Sequence, residues 1–148
     1  MFTIVLPTAV IYLMKKQYTQ KQTSEIAKYI IANALHKKIC FYGGMGSGKT
    51  TLVKALVKEL GSREEVSSPT FGLVNEYHNK DGVVFAYHFD FYRLNDESEA
   101  LDFGIEDYLS TNAWIFMEWP EKISGLLPED VTNVYIEIVD NTTRIMSL

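Results

Sequence analysis

Residues 39–50 read Ile39-Cys40-Phe41-Tyr42-Gly43-Gly44-Met45-Gly46-Ser47-Gly48-Lys49-Thr50, and from Gly43 onward the run fits G-x-x-x-x-G-K-[ST] without a mismatch. The glycines let the backbone turn so that successive N–H groups point inward at phosphate oxygens. The helix that follows adds the partial positive charge of its N-terminus. In such a P-loop the lysine, here Lys49, reaches the β- and γ-phosphates of a nucleotide, and the Thr50 hydroxyl ligates the magnesium ion that bridges them. A dinucleotide-binding G-x-G-x-x-G turn offers no such Lys-Thr pair. The nucleotide-binding residues expected are therefore Gly43, Gly46, Ser47, Gly48, Lys49, Thr50 and Thr51.

The flanks of the loop agree with this reading. Residues 39–42 form a short apolar run, as a buried parallel strand does, and 50–60 read as a helix stopped by Gly61. Upstream, Thr23 or Ser24 can cap a helix whose apolar positions Ile26, Ala27, Ile30, Ile31, Ala34 and Leu35 recur at helical spacing and end near Lys37 and Lys38. Downstream, 72–78 and 83–89 read as strands of a hairpin turned by Asn79-Lys80-Asp81-Gly82. Asp96 or Ser98 opens a helix around 99–103, which Gly104 interrupts and 105–109 continues. Residues 113–117 make another buried strand ending at Glu118, Pro120 and Pro128 punctuate a loop region, and 134–139 with 142–146 form a terminal hairpin about Asp140-Asn141. The pattern predicts one α/β domain of the P-loop NTPase class: a mainly parallel sheet flanked by helices and extended by antiparallel hairpins.

With 148 residues, 47% of them apolar, the chain has the material for one core and hardly for two. Its 14 basic and 19 acidic residues leave a net charge of −5, which argues against an independent nucleic-acid surface. The single cysteine, Cys40, lies in the apolar run and has no internal disulfide partner, as expected of a reduced, cytoplasmic protein. Residues 1–14 carry no charge, but they fall short of the roughly 20 apolar residues that span a bilayer. The basic residues Lys15 and Lys16 follow this run instead of preceding it, unlike a signal peptide. Residues 1–14 therefore read as an extension, either an added strand or a non-native segment before Met14, ahead of a domain over 15–148; no membrane partner is expected.

Hydrolysis needs a carboxylate for the metal, usually at the end of a buried strand, and a positioned water. Glu118 and Asp90 each end a strand, where a parallel α/β sheet binds its ligands. Glu118 suits magnesium if its strand lies parallel to the loop strand. Asp90 is harder to place because its strand belongs to a hairpin. Position alone also fits two solvated strand ends. His78 and His88 read as ordinary polar residues, and two histidines ten apart on a hairpin do not suggest zinc.

Four blocks taken together, GGMGSGKTT at 43–51, Ser67-Ser68-Pro69-Thr70-Phe71, His88-Phe89-Asp90-Phe91-Tyr92-Arg93 and Glu118-Trp119-Pro120-Glu121, resemble the TsaE family, formerly called YjeE. The resemblance covers roughly residues 15–148, with Thr19 and Thr23 fitting a weaker pattern before the first helix. It implies an ATPase needed for threonylcarbamoyl modification of adenosine 37 in tRNAs that read ANN codons. It also implies ATP and magnesium as ligands, and TsaD and TsaB as partners through which tRNA is reached indirectly. Lys49, Asp90 and Glu118 are then the catalytic residues, with Thr50 and Glu118 on the metal. Ser67, Ser68, Pro69, Thr70 and Phe71 become a switch-like loop sensing nucleotide or partner. Trp119 packs against nucleotide or partner, although from the residues alone a core aromatic and a plain Ser-Pro turn fit as well. Gly44 departs from the family, which usually has an acidic residue there. A small-molecule kinase, and a nucleotide-dependent binding switch with negligible turnover, share the P-loop. Against the kinase, the arginines number only Arg63, Arg93 and Arg144, too few for a lid clustered over phosphates.

Overall fold

The computed structural model describes residues 14–62 and 73–148. The run ahead of the loop forms a strand, Lys38–Tyr42, in which Ile39, Cys40 and Phe41 are fully buried. Apolar side chains on both faces of one strand suit a sheet covered on both sides. In chain order the strands are β1 Lys15–Thr19, β2 Lys38–Tyr42, β3 Val74–His78, β4 Val84–Asp90, β5 Trp114–Glu118, β6 Val131–Ile138 and β7 Thr143–Ser147. Among the described residues they make one seven-stranded sheet in the order β1-β7-β6-β2-β5-β4-β3. Its centre, β6-β2-β5-β4, is parallel. The edges are antiparallel: β3 on β4, and β7 on β6 followed by β1 on β7. This is the α/β architecture that the sequence predicts.

The helices are α1 Thr23–Asn33, α2 Lys49–Glu59, α3 Glu97–Phe103 and α4 Ile105–Leu109, with 3-10 segments at Gln20–Gln22 and Pro120–Leu126. Strand side chains alternate between faces. Ile39 and Phe41 of β2 meet Ile26, Ile30, Leu52 and Leu56 of α1 and α2 in one core cluster. Cys40 of β2 and Met117 of β5 turn the other way and pack with Phe89, Leu94, Ile105 and Ile123. Between α3 and α4, Gly104 has φ +90°, a left-handed turn that costs a glycine little. No helix among the described residues is long and apolar enough to cross a membrane.

Several elements differ from expectation at their ends. The cap of α1 is Gln22; Thr23 is its first residue, and its hydroxyl donates to the Gln20 carbonyl at 2.7 Å. The Ser24 hydroxyl instead donates to Glu59 of α2 at 2.8 Å. α1 ends at Asn33 rather than near the basic pair, because Lys38 is drawn into β2, where its ammonium holds Asp130 at 2.6 Å. The loop region after Pro120 contains a 3-10 segment that buries Ile123. β6 begins at Val131, three residues before the expected hairpin strand, because its first half pairs with β2 and its second half with β7. β1 is a strand that the sequence reading leaves out. The expectations for residues 1–13 and for Ser67, Ser68, Pro69, Thr70 and Phe71 fall outside the described residues.

Candidate nucleotide site

The loop leaves β2 at Tyr42 and enters α2 at Lys49. Gly46 and Gly48 have φ of +76° and +98°, the left-handed conformations that let consecutive amides face one side. Gly43 is required for a different reason. A Cβ there would lie 2.6 Å from Ser47 Oγ and 2.9 Å from the Ile136 carbonyl of β6, so the loop is pressed against the neighbouring strand. At Gly44 a Cβ would meet nothing within 4 Å, so the missing acidic side chain leaves the loop's shape unaffected.

The strand register brings the acidic residues to the loop. Glu118, at the end of β5, is paired with Phe41 of β2 on one side and with Asp90 of β4 on the other. β5 is parallel to the loop strand, the condition the sequence left open for Glu118. β4 is at once a hairpin partner of β3 and a parallel neighbour of β5, which resolves the difficulty over Asp90. Glu118 is 3% exposed, and the Thr50 hydroxyl donates to its two oxygens at 2.8 and 3.0 Å. His88 Nε2 donates to Glu118 Oε2 at 2.5 Å from a fully buried position. Asp90 Oδ1 accepts the Tyr92 amide at 3.1 Å.

Lys49 is nearly buried, its ammonium donating to the Gly43 carbonyl and, at 3.3 Å, to the Gly44 carbonyl. It also sits 3.7 Å from the centroid of the Trp119 ring. Burial pulls the Lys49 ammonium below its ordinary pKa, while the charges of Glu118, Glu121 and Asp90 oppose that fall. Trp119 is the one non-glycine residue with positive φ among the described residues, at 56°; it turns its indole back over the lysine and meets Tyr92 edge-on at 4.9 Å. Such strained backbone concentrates at ligand sites.

These groups share one cleft of about 970 Å³, lined by Gly46, Ser47, Gly48, Lys49, Thr50, Thr51, Asp90, Glu118 and Trp119. Gly43 stands behind the loop, outside the lining. A second cleft of about 850 Å³ adjoins the same loop at residues 46–48 and Thr51, and is walled by Thr19, Thr23, Asn141 and Arg144 among others. Thr50 and Glu118 offer converging hard oxygen donors, the chemistry that magnesium takes.

A sequence model of the family described as "Threonylcarbamoyl adenosine biosynthesis protein TsaE" matches residues 15–146. The chain belongs to the TsaE family. A TsaE from Haemophilus influenzae is 37% identical over 123 residues, 82% of this chain and 77% of the relative. One from Bacillus subtilis is 36% identical over 125 residues, 84% of this chain and 77% of that relative. The crystal structure of Bacillus subtilis YdiB superposes with a TM-score of 0.67 at 25% identity, covering 92% of this chain and 85% of that one. TsaE membership gives the chain its place in tRNA threonylcarbamoyladenosine biosynthesis as a nucleotide-binding P-loop protein.

Sequence reasoning passes over three residues of this TsaE site. His88 reads as a polar hairpin residue until β5 is set beside β4. Arg93 lines the first cleft, whereas sequence alone assigns it no site role beyond its place in the block 88–93 and in the count of arginines. Arg144 donates from Nε to the Ser47 carbonyl at 3.1 Å and from Nη2 to the Gly46 carbonyl at 3.2 Å, holding the loop from β7. Arg144 is 97 positions from Ser47 in the chain, and no local pattern signals that contact.

Proposed function

We propose that this chain binds ATP with magnesium in the first cleft and hydrolyses it, and that hydrolysis acts on the TsaD–TsaB pair during modification of adenosine 37 in tRNAs reading ANN codons. The observation that carries the reading is the Thr50 hydroxyl held at 2.8 and 3.0 Å by the Glu118 carboxylate, beside a complete phosphate loop. Thr50 and Glu118 would hold the magnesium ion, whose charge offsets that of the phosphates when bound. The amides of the loop cradle the phosphate chain. Lys49 leaves the Gly43 and Gly44 carbonyls for phosphate oxygens, exchanging dipoles for full charges.

Asp90 is the acid that orients the attacking water. Its carboxylate lines the cleft next to Glu118, with one oxygen fixed by the Tyr92 amide. The second cleft takes the nucleoside end, offering hydroxyl and amide groups of Thr19, Thr23 and Asn141 on the far side of the loop. Ser67, Ser68, Pro69, Thr70 and Phe71 serve as the nucleotide-sensing segment. Work on tRNA places the protein in the cytoplasm.

The test is phosphate release with and without TsaD and TsaB, beside threonylcarbamoylation of tRNA in the same tube. ATP hydrolysis stimulated by the pair, and modification that stalls over many turnovers when the chain is omitted, support the proposal. Phosphate delivered to a small acceptor instead of water would support a kinase, and unchanged modification without the chain would remove the pathway role.

A further inference from the structure

β4 carries Ala86, His88 and Asp90 on one face and Phe85, Tyr87 and Phe89 on the other. Ala86 packs in the cluster under α1 and α2 with Phe116 of β5. In the sheet register His88 is opposite Phe116 and Asp90 is opposite Glu118. His88 therefore stands on the same face as Glu118, one diagonal step below it, within reach of a long side chain. Its Nε2 closes that step with the 2.5 Å contact to Oε2.

Nothing else in its surroundings uses the imidazole. His88 is fully buried, and its Nδ1 meets no hydrogen-bond partner among the described residues. Burying a polar ring among apolar neighbours is costly unless its hydrogen bonds are made. A phenylalanine would fill a core position at lower cost, so the polar character of His88 is explained only by Glu118.

Glu118 in turn has two kinds of partner, Thr50 and His88. The Thr50 hydroxyl has one proton, so when its lone pairs turn to a metal it can hold Glu118 at one oxygen at most. A single bond leaves the carboxylate free to rotate, and the bond from His88 to Oε2 is the second point that fixes it. Outer partners of this kind orient a metal ligand and typically matter by about 10- to 100-fold in metal affinity.

We propose that His88 is a positioning residue that anchors Glu118 Oε2, so that Oε1 is presented to the cation beside Thr50. The inference rests on the magnesium-nucleotide reading above and goes beyond it by assigning a role to a buried group outside the cleft lining.

The experiment compares wild type, His88→Gln, His88→Leu and His88→Asn. Gln carries an N–H donor about as far out as Nε2, Leu carries none, and Asn carries one that is too short to reach. The readout is the magnesium concentration at half-saturation of a fluorescent ATP analogue, with analogue binding in chelator and melting temperature measured alongside.

The expected result is a midpoint raised about 10- to 100-fold in His88→Leu and His88→Asn. His88→Gln should stay close to wild type, and binding in chelator should be the same throughout. If His88→Leu does not fold, the Asn and Gln pair decides. Equal midpoints across the folded variants, or an equal shift in Gln and Asn that follows the melting temperature, would overturn the role of His88 alone. A wild-type protein whose analogue binding ignores magnesium would overturn the assignment of magnesium to Thr50 and Glu118, and one that binds no analogue at all would overturn the nucleotide reading itself.

Discussion

Asp90 and Glu118 are register partners on adjacent parallel strands, so two carboxylates emerge side by side at the carboxyl edge of the sheet. Their surroundings separate their tasks. Glu118 is buried and tied to Thr50, while Asp90 is partly open to the cleft. Glu118→Gln is expected to raise the magnesium requirement and to lower kcat about 100-fold, as loss of a metal ligand's charge does. Asp90→Asn should lower kcat by about 100-fold with the magnesium midpoint unchanged, as expected for a group acting on the water. Steady-state hydrolysis measured across a magnesium series checks both. A shift of the midpoint in Asp90→Asn would instead move Asp90 onto the metal.

The ammonium of Lys49 lies 3.7 Å from the Trp119 centroid and on the carbonyls of the loop it is to serve. Binding phosphate requires the lysine to leave both, so the emission of Trp119 is expected to change when ATP binds. Trp114 is the other indole, on β5, and Trp114→Phe isolates the signal. In that background ATP should alter emission at a saturable concentration, and Lys49→Ala should abolish the change. Trp119→Ala removes a cation–π contact that amounts to about 1–2 kcal/mol when desolvated. Because that contact competes with phosphate for the lysine, the variant should bind ATP no more weakly than wild type. A tenfold loss of affinity in Trp119→Ala would show that the indole holds nucleotide instead of guarding the lysine.

How much of this was legible in sequence depended on how local the signal was. The loop, β2 and α2 could be read because glycine spacing, a continuous apolar run and a helical period follow one another within some 20 residues. β1 could not: in KKQYT only Tyr18 faces the core, and an edge strand with exposed lysines resembles a linker. The early start of β6 was hidden by two polar residues, the buried Thr132 and the exposed Asn133. The Thr132 hydroxyl is satisfied by the His36 amide and carbonyl, both at 3.0 Å, a pairing 96 residues apart in the chain. At the site, Lys49, Thr50 and Glu118 could be named from pattern. His88 and Arg144 could not, because each acts through a partner on a different strand or loop.

Burial pushes the Cys40 thiol up to about 12 from 9.0, with the charge of Glu121 adding to the rise. A thiol held protonated and fully covered is a poor nucleophile. Cys40 should therefore resist maleimide and aromatic disulfide reagents at pH 7 to 9 until the protein unfolds, when it should react at once. The sign of the linkage follows. The folded state keeps the proton where the unfolded chain releases it, so stability is full below pH 9.0 and falls as pH rises from there toward about 12. Tyr42, also raised by burial to about 12 from 10.0, contributes in the upper part of the same window. Denaturant midpoints measured from pH 8 upward, in wild type and Cys40→Ala, should converge as the thiol's share is removed.

Arg144 spends its guanidinium on four backbone carbonyls: Ser47 and Gly46 in the loop, Asp140 in the turn before β7 and Thr143 at the start of β7, at 2.6 to 3.2 Å. Carbonyls drawn to the arginine side leave the amides of the loop free to face the opposite way, toward phosphate. Hydrogen bonds to a charged group contribute about 1.5–3 kcal/mol each when buried, and less where solvent competes, as it does here. Arg144→Ala is therefore expected to weaken ATP binding about tenfold, corresponding to roughly 1.4 kcal/mol. It should lower kcat at saturating ATP far less, since Thr50, Asp90 and Glu118 are untouched. Arg144→Lys keeps the charge but cannot fork across two carbonyls, and it should resemble Ala more than wild type. If Lys restored full affinity, the charge of Arg144 and not its geometry would be what holds the loop, and the second cleft beside it would owe its shape to other residues.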